Sequence, residues 1–418
     1  MEEQKTILLI CHSFPPYPGI GGRRWAKFAK YLSQNGHTVK VIASENPFFK
    51  KSEWLHDVKN MDVTYLPFNY PAVLKKDSSL SLLDKLKYRA ALVYIKCLGK
   101  GNYYDRSLFW EKQILKTASA LIDKHKIKNV IVTCPPFHIA YHCLKLKNNF
   151  PELNLITDFR DLWTGDFSLS GLKQMPDKRQ SAEKEMEKEV LEKSDIVLTV
   201  SDKMTSAFKT QVPKCNCYTV PNGFDEDDFK YISDSPEKQN EKITLVFTGT
   251  LYANLQNVFI PLVSALKKLK TEQPSLYNLL SFNFYGTVPH EIRTLCAGAE
   301  VIHIHGTIPL NEVYKKIGES DMCLLFLTDA YTFSLSTKFY EYVSQKKKIV
   351  VFSKKGDTSD FIEQNNLGYW ISPDKSYEGL IKLIELYQTG QTVNWNSNLN
   401  INDFSVKALT KQLEKHLK

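Results

Sequence analysis

No uninterrupted apolar run in this 418-residue chain approaches the roughly 20 residues that span a bilayer. Any contact with a membrane is therefore expected from outside it. The eight cysteines, Cys11, Cys97, Cys134, Cys143, Cys215, Cys217, Cys296 and Cys323, are scattered without a repeated Cys-x-x-Cys spacing. Cys215-Asn-Cys217 is too tight for an ordinary zinc pair, so the set reads as reduced thiols of a cytosolic protein. The amino terminus is charged and enters an apolar stretch at Ile7, so no secretory leader is expected. The dinucleotide fingerprint is absent: no Gly-x-Gly-x-x-Gly has an acidic residue about 20 positions on. No Asp-x-Asp pair ends a suitable apolar run, and Asp225-Glu-Asp-Asp228 lies in a polar stretch that reads as solvated. Neither a metal nor another cofactor is therefore expected.

What is present fits a globular protein. The length exceeds one ordinary core and suggests two domains, and the charged fraction of 24% with 43% apolar residues argues against disorder. The net charge of +9 is uneven: residues 1–200 hold 31 Lys and Arg against 22 Asp and Glu, whereas residues 201–418 hold 24 of each. A basic half attracts anions, here lipid, a polyprenyl-phosphate carrier or nucleic acid. No nucleic-acid-binding motif accompanies the charge, which favours a membrane surface over nucleic acid. A generic solvated surface is the alternative.

Apolar runs and helical patterns alternate along the chain. Thr6–Cys11 reads as a strand buried on both faces. A proline-rich loop and Gly19-Ile-Gly-Gly22 open a helix through Arg24, Trp25, Phe28, Ala29 and Leu32, and Val39–Ala43 is the next strand. Further strands are expected at 129–133, 153–157 and 195–200. A second series runs through 243–249, 280–285, 301–305, 321–326 and 349–352, with helices such as 257–269 and 310–317 between. The fold class is therefore α/β, with two Rossmann-like domains. They are assigned to 1–205 and 206–394, with a polar linker over 225–242 and a last helix within about 395–418. Residues 54–110 interrupt the pattern. Their basic amphipathic part, Lys75 to Lys100, suits either a membrane interface or packing against its own domain.

Five segments carry candidate chemistry. Gly19, Gly21 and Gly22 follow the first strand, where glycines let a backbone approach a phosphate or simply turn. Thr157-Asp-Phe-Arg-Asp-Leu-Trp-Thr-Gly165 places Asp158, Arg160 and Asp161 at a strand's carboxyl end, where open α/β sheets bind ligands. The cluster can hold acceptor hydroxyls, with a carboxylate able to take a proton, or it can be an Asp–Arg pair that fixes the loop. Arg160 either neutralises the carboxylates or contacts phosphate. Val220-Pro-Asn-Gly-Phe-Asp225 is a turn at the domain junction. Phe247-Thr-Gly-Thr-Leu-Tyr252 offers Gly249 and Thr250 to a diphosphate, and Tyr285-Gly286 ends a later strand at the same edge. Finally, Ser334, Ser336 and Thr337 precede Lys338 and Glu341, which share a helix face. That helix start offers a dipole end and N–H groups to an anion, Lys338 adds a cation, and Glu341 can accept from ribose hydroxyls.

The last segment, with its Lys-Phe-x-Glu-Tyr core, resembles the nucleotide-sugar signature of glycosyltransferase family 4. The Asp-x-Arg-Asp-x-Trp run, with Pro135-Pro-Phe-His138 upstream, resembles family members that build bacterial surface polysaccharides. These features span nearly the whole chain in the family's order. The resemblance implies a GT-B architecture, two Rossmann-like domains facing across a cleft, with the last helix returning to the first domain. It implies a retaining transferase moving a sugar from a nucleotide-diphosphate sugar, UDP favoured, to a glycan or polyprenyl-diphosphate-linked acceptor. The protein would then be cytoplasmic and peripheral to the membrane. Donor residues would be Gly21, Gly22, Gly249, Thr250, Gly286, Ser336, Thr337, Lys338 and Glu341. Asp161, Asp158 and Arg160 would serve catalysis, with His138 on the acceptor side. One departure stands out: where the family's Glu-x7-Glu places its first glutamate, this chain has Phe333. A sugar-nucleotide epimerase of the same architecture and a non-catalytic nucleotide-sugar-binding protein are the alternatives.

Overall fold

β-Branched and leucine-rich runs without charge can bury both faces only inside a parallel sheet covered on each side by helices. Thirteen strands, most of them of this kind, occur among the residues described by the computed structural model, which are 4–18, 20–46, 52–75, 81–165, 171–229, 241–328, 333–390 and 398–418. Seven belong to one sheet: β1 (Thr6–Cys11), β2 (Thr38–Ser44), β3 (Asp62–Leu66), β4 (Asn129–Cys134), β5 (Asn154–Phe159), β6 (Ile196–Thr199) and β7 (Cys217–Thr219). Six form the other: β8 (Ile243–Thr248), β9 (Leu280–Tyr285), β10 (Ile302–Gly306), β11 (Met322–Phe326), β12 (Lys348–Phe352) and β13 (Gly368–Ile371). The orders are β3-β2-β1-β4-β5-β6-β7 and β10-β9-β8-β11-β12-β13, parallel throughout. Both are Rossmann-like, and in each the order reverses beside the first strand: between β1 and β4, and between β8 and β11.

The chain divides into Met1–Pro221 with Leu409–Lys418, and Asn222–Ala408. The first division lies beyond the expected residue 205 because β7 adds a seventh strand to the first sheet. Short β3, β7 and β13 had no apolar run long enough to announce them. In the first unit, buried Asn129 and Asn154 at the starts of β4 and β5 donate to the carbonyls of Lys418 and His416, both at 2.9 Å. The expected linker is partly outside the described residues, at 230–240. Of its acidic start only Asp225 is withdrawn from water: it is fully buried and its carboxylate accepts from the Asp227 N–H at 3.1 Å, whereas Glu226 is exposed and Asp227 and Asp228 are half-buried.

The first helix, Ile20–Gln34, carries Arg24 among its buried residues. A cation without water needs a counter-charge, and Asp158 on β5 supplies it. Arg24 Nη2 donates to its Oδ1 at 2.9 Å, while Trp25 Nε1 at 2.7 Å and Thr133 Oγ1 at 2.9 Å donate to Oδ2. Arg24 also donates to the carbonyls of Val220 and Pro221. One carboxylate thus ties the first helix, β4 and β5 together. Asp158→Ala would strand Arg24 in the interior, and a loss of about 3–5 kcal/mol in unfolding free energy is expected. Urea denaturation checks this, and a loss below about 1 kcal/mol would show that the hub is dispensable.

Candidate functional site

The residues singled out in the Thr157–Gly165 run fare differently. Asp158 is 0% exposed, with both oxygens engaged inside the protein. This corrects its expected contact with an acceptor: no face of the carboxylate is open to one. Arg160 does not pair with it. Its guanidinium donates instead to three backbone carbonyls, Gly21 at 2.7 Å, Pro135 at 2.5 Å and Cys134 at 3.3 Å. It thereby staples the start of the first helix to the loop after β4, on either side of the first sheet's reversal point. A β-carbon at Gly21 would stand 3.5 Å from Arg160 Nη1, an ordinary contact, so this arrangement does not itself require glycine there. Gly22 is buried against the Tyr17 carbonyl, and Gly19 lies outside the described residues.

The rest of the loop is held from below by two glutamates on the helix Asp177–Lys193. Trp163 Nε1 donates to Glu183 Oε2 at 2.5 Å, and its ring stacks on Phe137 at 5.3 Å. The Thr164 hydroxyl and N–H both donate to Glu187. His138, expected beside the acceptor, is 2% exposed and binds Glu183 Oε1 through Nε2 at 2.7 Å. Asp105 accepts from the backbone N–H groups of Phe137 and His138. His138 thus buttresses the loop from within, which corrects its expected placement. With every neighbour fastened, Asp161 remains half-buried and makes no hydrogen bond to a described residue. Burial raises its carboxyl above the ordinary range, against the pull of Arg160, so its carboxylate is a better proton acceptor than a solvated one.

A second cluster lies in the other unit, at the reversal point between β8 and β11. Gly249 follows β8 with φ of +103°, and Gly286 follows β9. The two touch so closely that a β-carbon on Gly286 would stand 2.0 Å from the Gly249 carbonyl oxygen. Lys338 enters the space above Gly249, where a β-carbon would meet its Cε at 2.8 Å. Its Nζ sits 5.2 Å from the Phe247 ring centroid. Ser336 caps the helix Thr337–Ser344, accepting from the Phe339 N–H. Tyr342 on that helix accepts from the Thr248 N–H at 3.2 Å, locking the helix to the end of β8. Lys338 is half-buried. Burial pulls its pKa below the usual lysine value, and Glu341, one turn on and also half-buried, opposes that shift. Thr250 is exposed at the same edge. Phe333 is 1% exposed, so the position of the family's first glutamate packs inward here. Among the described residues no group of three or more His, Cys, Asp or Glu side chains is placed to hold a metal ion.

No protein-family model and no curated protein sequence matches the chain. Solved structures do. A glycosyltransferase from Rickettsia africae superposes with a TM-score of 0.62 at 16% identity, over 99% of this chain and 98% of that one. Sucrose-phosphate synthase from Thermosynechococcus elongatus gives 0.64 at 12% identity, over 99% and 98%. A UDP-N-acetylglucosamine 2-epimerase gives 0.51 at 11% identity, over 99% and 97%. The fold is GT-B. At such identities the likeness concerns architecture, and GT-B proteins of different activities share it.

Sequence reasoning missed Arg24, Asp105, Glu183, Glu187 and Tyr342. Glu183 and Glu187 are four apart, hence on one helix face, but stand in a helix where nearly every residue is charged or polar. That context hides which glutamates turn inward. Burial pushes the His138 imidazole down, yet Asp105 and Glu183 outweigh it, so its pKa is raised from the usual 6.5. Its neighbour His142 faces Glu111 at 3.2 Å. The His138 contribution to stability is full below pH 6.5 and is lost as pH rises through the higher folded value. The unfolding free energy of wild type minus that of His138→Gln should therefore fall with rising pH above about 6.5. A difference that stays flat or grows would show His138 to be neutral in the folded protein.

Proposed function

We propose that the protein is a glycosyltransferase that takes a nucleotide-diphosphate sugar, UDP favoured, as donor. The observation that carries this reading is the convergence of Lys338, Gly249 and Gly286 at the reversal point of the second sheet. A bare backbone edge, a helix N-terminus and one buried-stem cation are what a diphosphate requires. Glu341 supplies an acceptor for ribose hydroxyls. Ser336 and Thr337 add hydroxyls at the same helix start, and Thr250 one beside Gly249.

Transfer breaks the bond between the anomeric carbon and the diphosphate oxygen. It forms a bond from that carbon to an acceptor hydroxyl, whose proton must leave. Lys338 and the helix dipole stabilise the charge that develops on the departing diphosphate. Asp161, a carboxylate made more basic by burial, orients the acceptor hydroxyl and receives its proton. Arg160, next in sequence, holds the start of the first helix through the Gly21 carbonyl. The acceptor is a glycan or a lipid-linked sugar of surface polysaccharide assembly, and the sugar is transferred with retention. This chemistry uses no metal.

The epimerase reading has the support of a GT-B epimerase among the similar structures. The two differ in products. A transferase releases nucleotide diphosphate only when acceptor is added, an epimerase converts the sugar nucleotide without acceptor, and a binding protein does neither. A thermal-shift panel of nucleotide sugars identifies the donor. With that donor, Asp161→Asn is expected to lower transfer about 100-fold or more while leaving donor affinity within about threefold. Equal loss of donor binding, or transfer within threefold of wild type, would remove Asp161 from this role.

A further inference from the structure

The helix Leu82–Leu98 covers almost nothing. Of its 17 residues only Ile95 is buried. Leu82, Leu83, Leu86, Val93, Tyr94 and Leu98 are between 50% and 82% exposed. They are not scattered. At about 100° per residue, Leu82, Leu86, Ala90, Val93 and Cys97 fall within one arc of about 80°, with Leu83 and Tyr94 beside it. Ile95, Asp84, Tyr88 and Ala91 occupy the opposite arc, and all four are buried or half-buried. The helix therefore rests on its own domain by a narrow seam and presents its broader apolar stripe to solvent. Exposed Lys85, Arg89 and Lys96 line one border of that stripe and exposed Lys87 the other. The only acid on the helix, Asp84, is on the inward arc.

The geometry points to this stripe as a docking surface for an anionic bilayer. A sidelong helix with an apolar face, bordered by cations, matches acyl chains below and lipid phosphates at their level. A second copy of the chain would bring its own cations against these, and nucleic acid would leave the leucines in water. The charge surplus of the first half of the sequence has the same sign.

The helix also has a physical tie to the acceptor-side cluster. Arg179 donates to the carbonyls of Lys96, Gly99 and Gly101 just where the helix ends. It packs over the Tyr103 ring at 5.0 Å. Asn102 N–H donates to Glu183, four residues on from Arg179 along the same helix. The element that grips the bilayer helix therefore also holds the loop bearing Asp161. Docking would set that loop at a fixed height above the surface, as a lipid-borne acceptor requires. In this last respect the inference rests on the sugar-transfer reading; the surface itself does not.

The test is co-sedimentation of the full chain with vesicles of phosphatidylcholine, alone or with phosphatidylglycerol as one third of the lipid. Binding to the mixed vesicles is expected, weakening as salt rises. Leu86→Ser with Val93→Ser should lower partitioning by about tenfold or more. Lys85→Ser with Arg89→Ser should remove most of the preference for anionic lipid, about tenfold. All four positions are exposed, so unfolding midpoints and helical circular dichroism should stay at wild-type values, and these are measured alongside. Equal recovery with both vesicle types, recovery with neither, or binding unaffected by the Leu86/Val93 pair would overturn the proposal. So would a dimer in solution that the same pair dissolves, which would assign the stripe to a second copy. Because no donor is added, failure here and failure of the transferase reading are scored separately.

Discussion

A parallel sheet delivers every strand's carboxyl end to one edge, and its crossover helices cover both faces but not that edge. Where the strand order reverses, consecutive loops leave toward opposite faces and nothing fills the gap. This constraint acts twice here, once between β1 and β4 and once between β8 and β11. Each candidate cluster stands at one of the two reversal points. Gly21, Arg160 and Asp161 gather at the first, and Gly249, Gly286 and Lys338 at the second.

The two clusters are built by different means. In the first unit, buried and half-buried charges fix a loop: Asp158 against Arg24, half-buried Arg160 against three carbonyls, Glu183 against Trp163 and His138, and Glu187 against Thr164. A buried carboxylate without partners is costly, and Asp158, Glu183 and Glu187 are each hydrogen-bonded, whereas Asp161 makes no hydrogen bond to a described residue. In the second unit the means is absence of side chain. Gly249 and Gly286 let two backbone turns touch, and the missing β-carbon of Gly249 leaves the space that Lys338 occupies. Tyr342 holds the helix at that distance.

Much of this architecture was legible in the sequence, because continuous apolar runs such as Thr6–Cys11 and Ile349–Phe352 have no other stable use. The Lys338 segment was legible too, since a polar turn, a helix start and a buried strand follow one another directly. What escaped depended on distant partners. Asp158 at the end of β5 and Asp161 just after it are three residues apart and look alike in sequence, yet one pairs with Arg24 in the core and the other keeps partial exposure. Only the position of the first helix decides between them. His138 likewise turns inward because Glu183, 45 positions on, is there to receive it. The apolar stripe of Leu82–Leu98 was visible as a pattern, but whether it was covered by its own domain could not be read from periodicity, which registers a stripe without its partner.

The account stands on the separation of a donor cluster around Lys338 from an acceptor cluster around Asp161. Calorimetric titration with UDP tests it directly, in wild type, Lys338→Ala and Asp161→Asn. The account predicts that Lys338→Ala weakens UDP binding by about 10- to 100-fold, the scale of one charge-assisted hydrogen bond. It predicts that Asp161→Asn binds as wild type does. Wild-type affinity in Lys338→Ala together with lost binding in Asp161→Asn would contradict it.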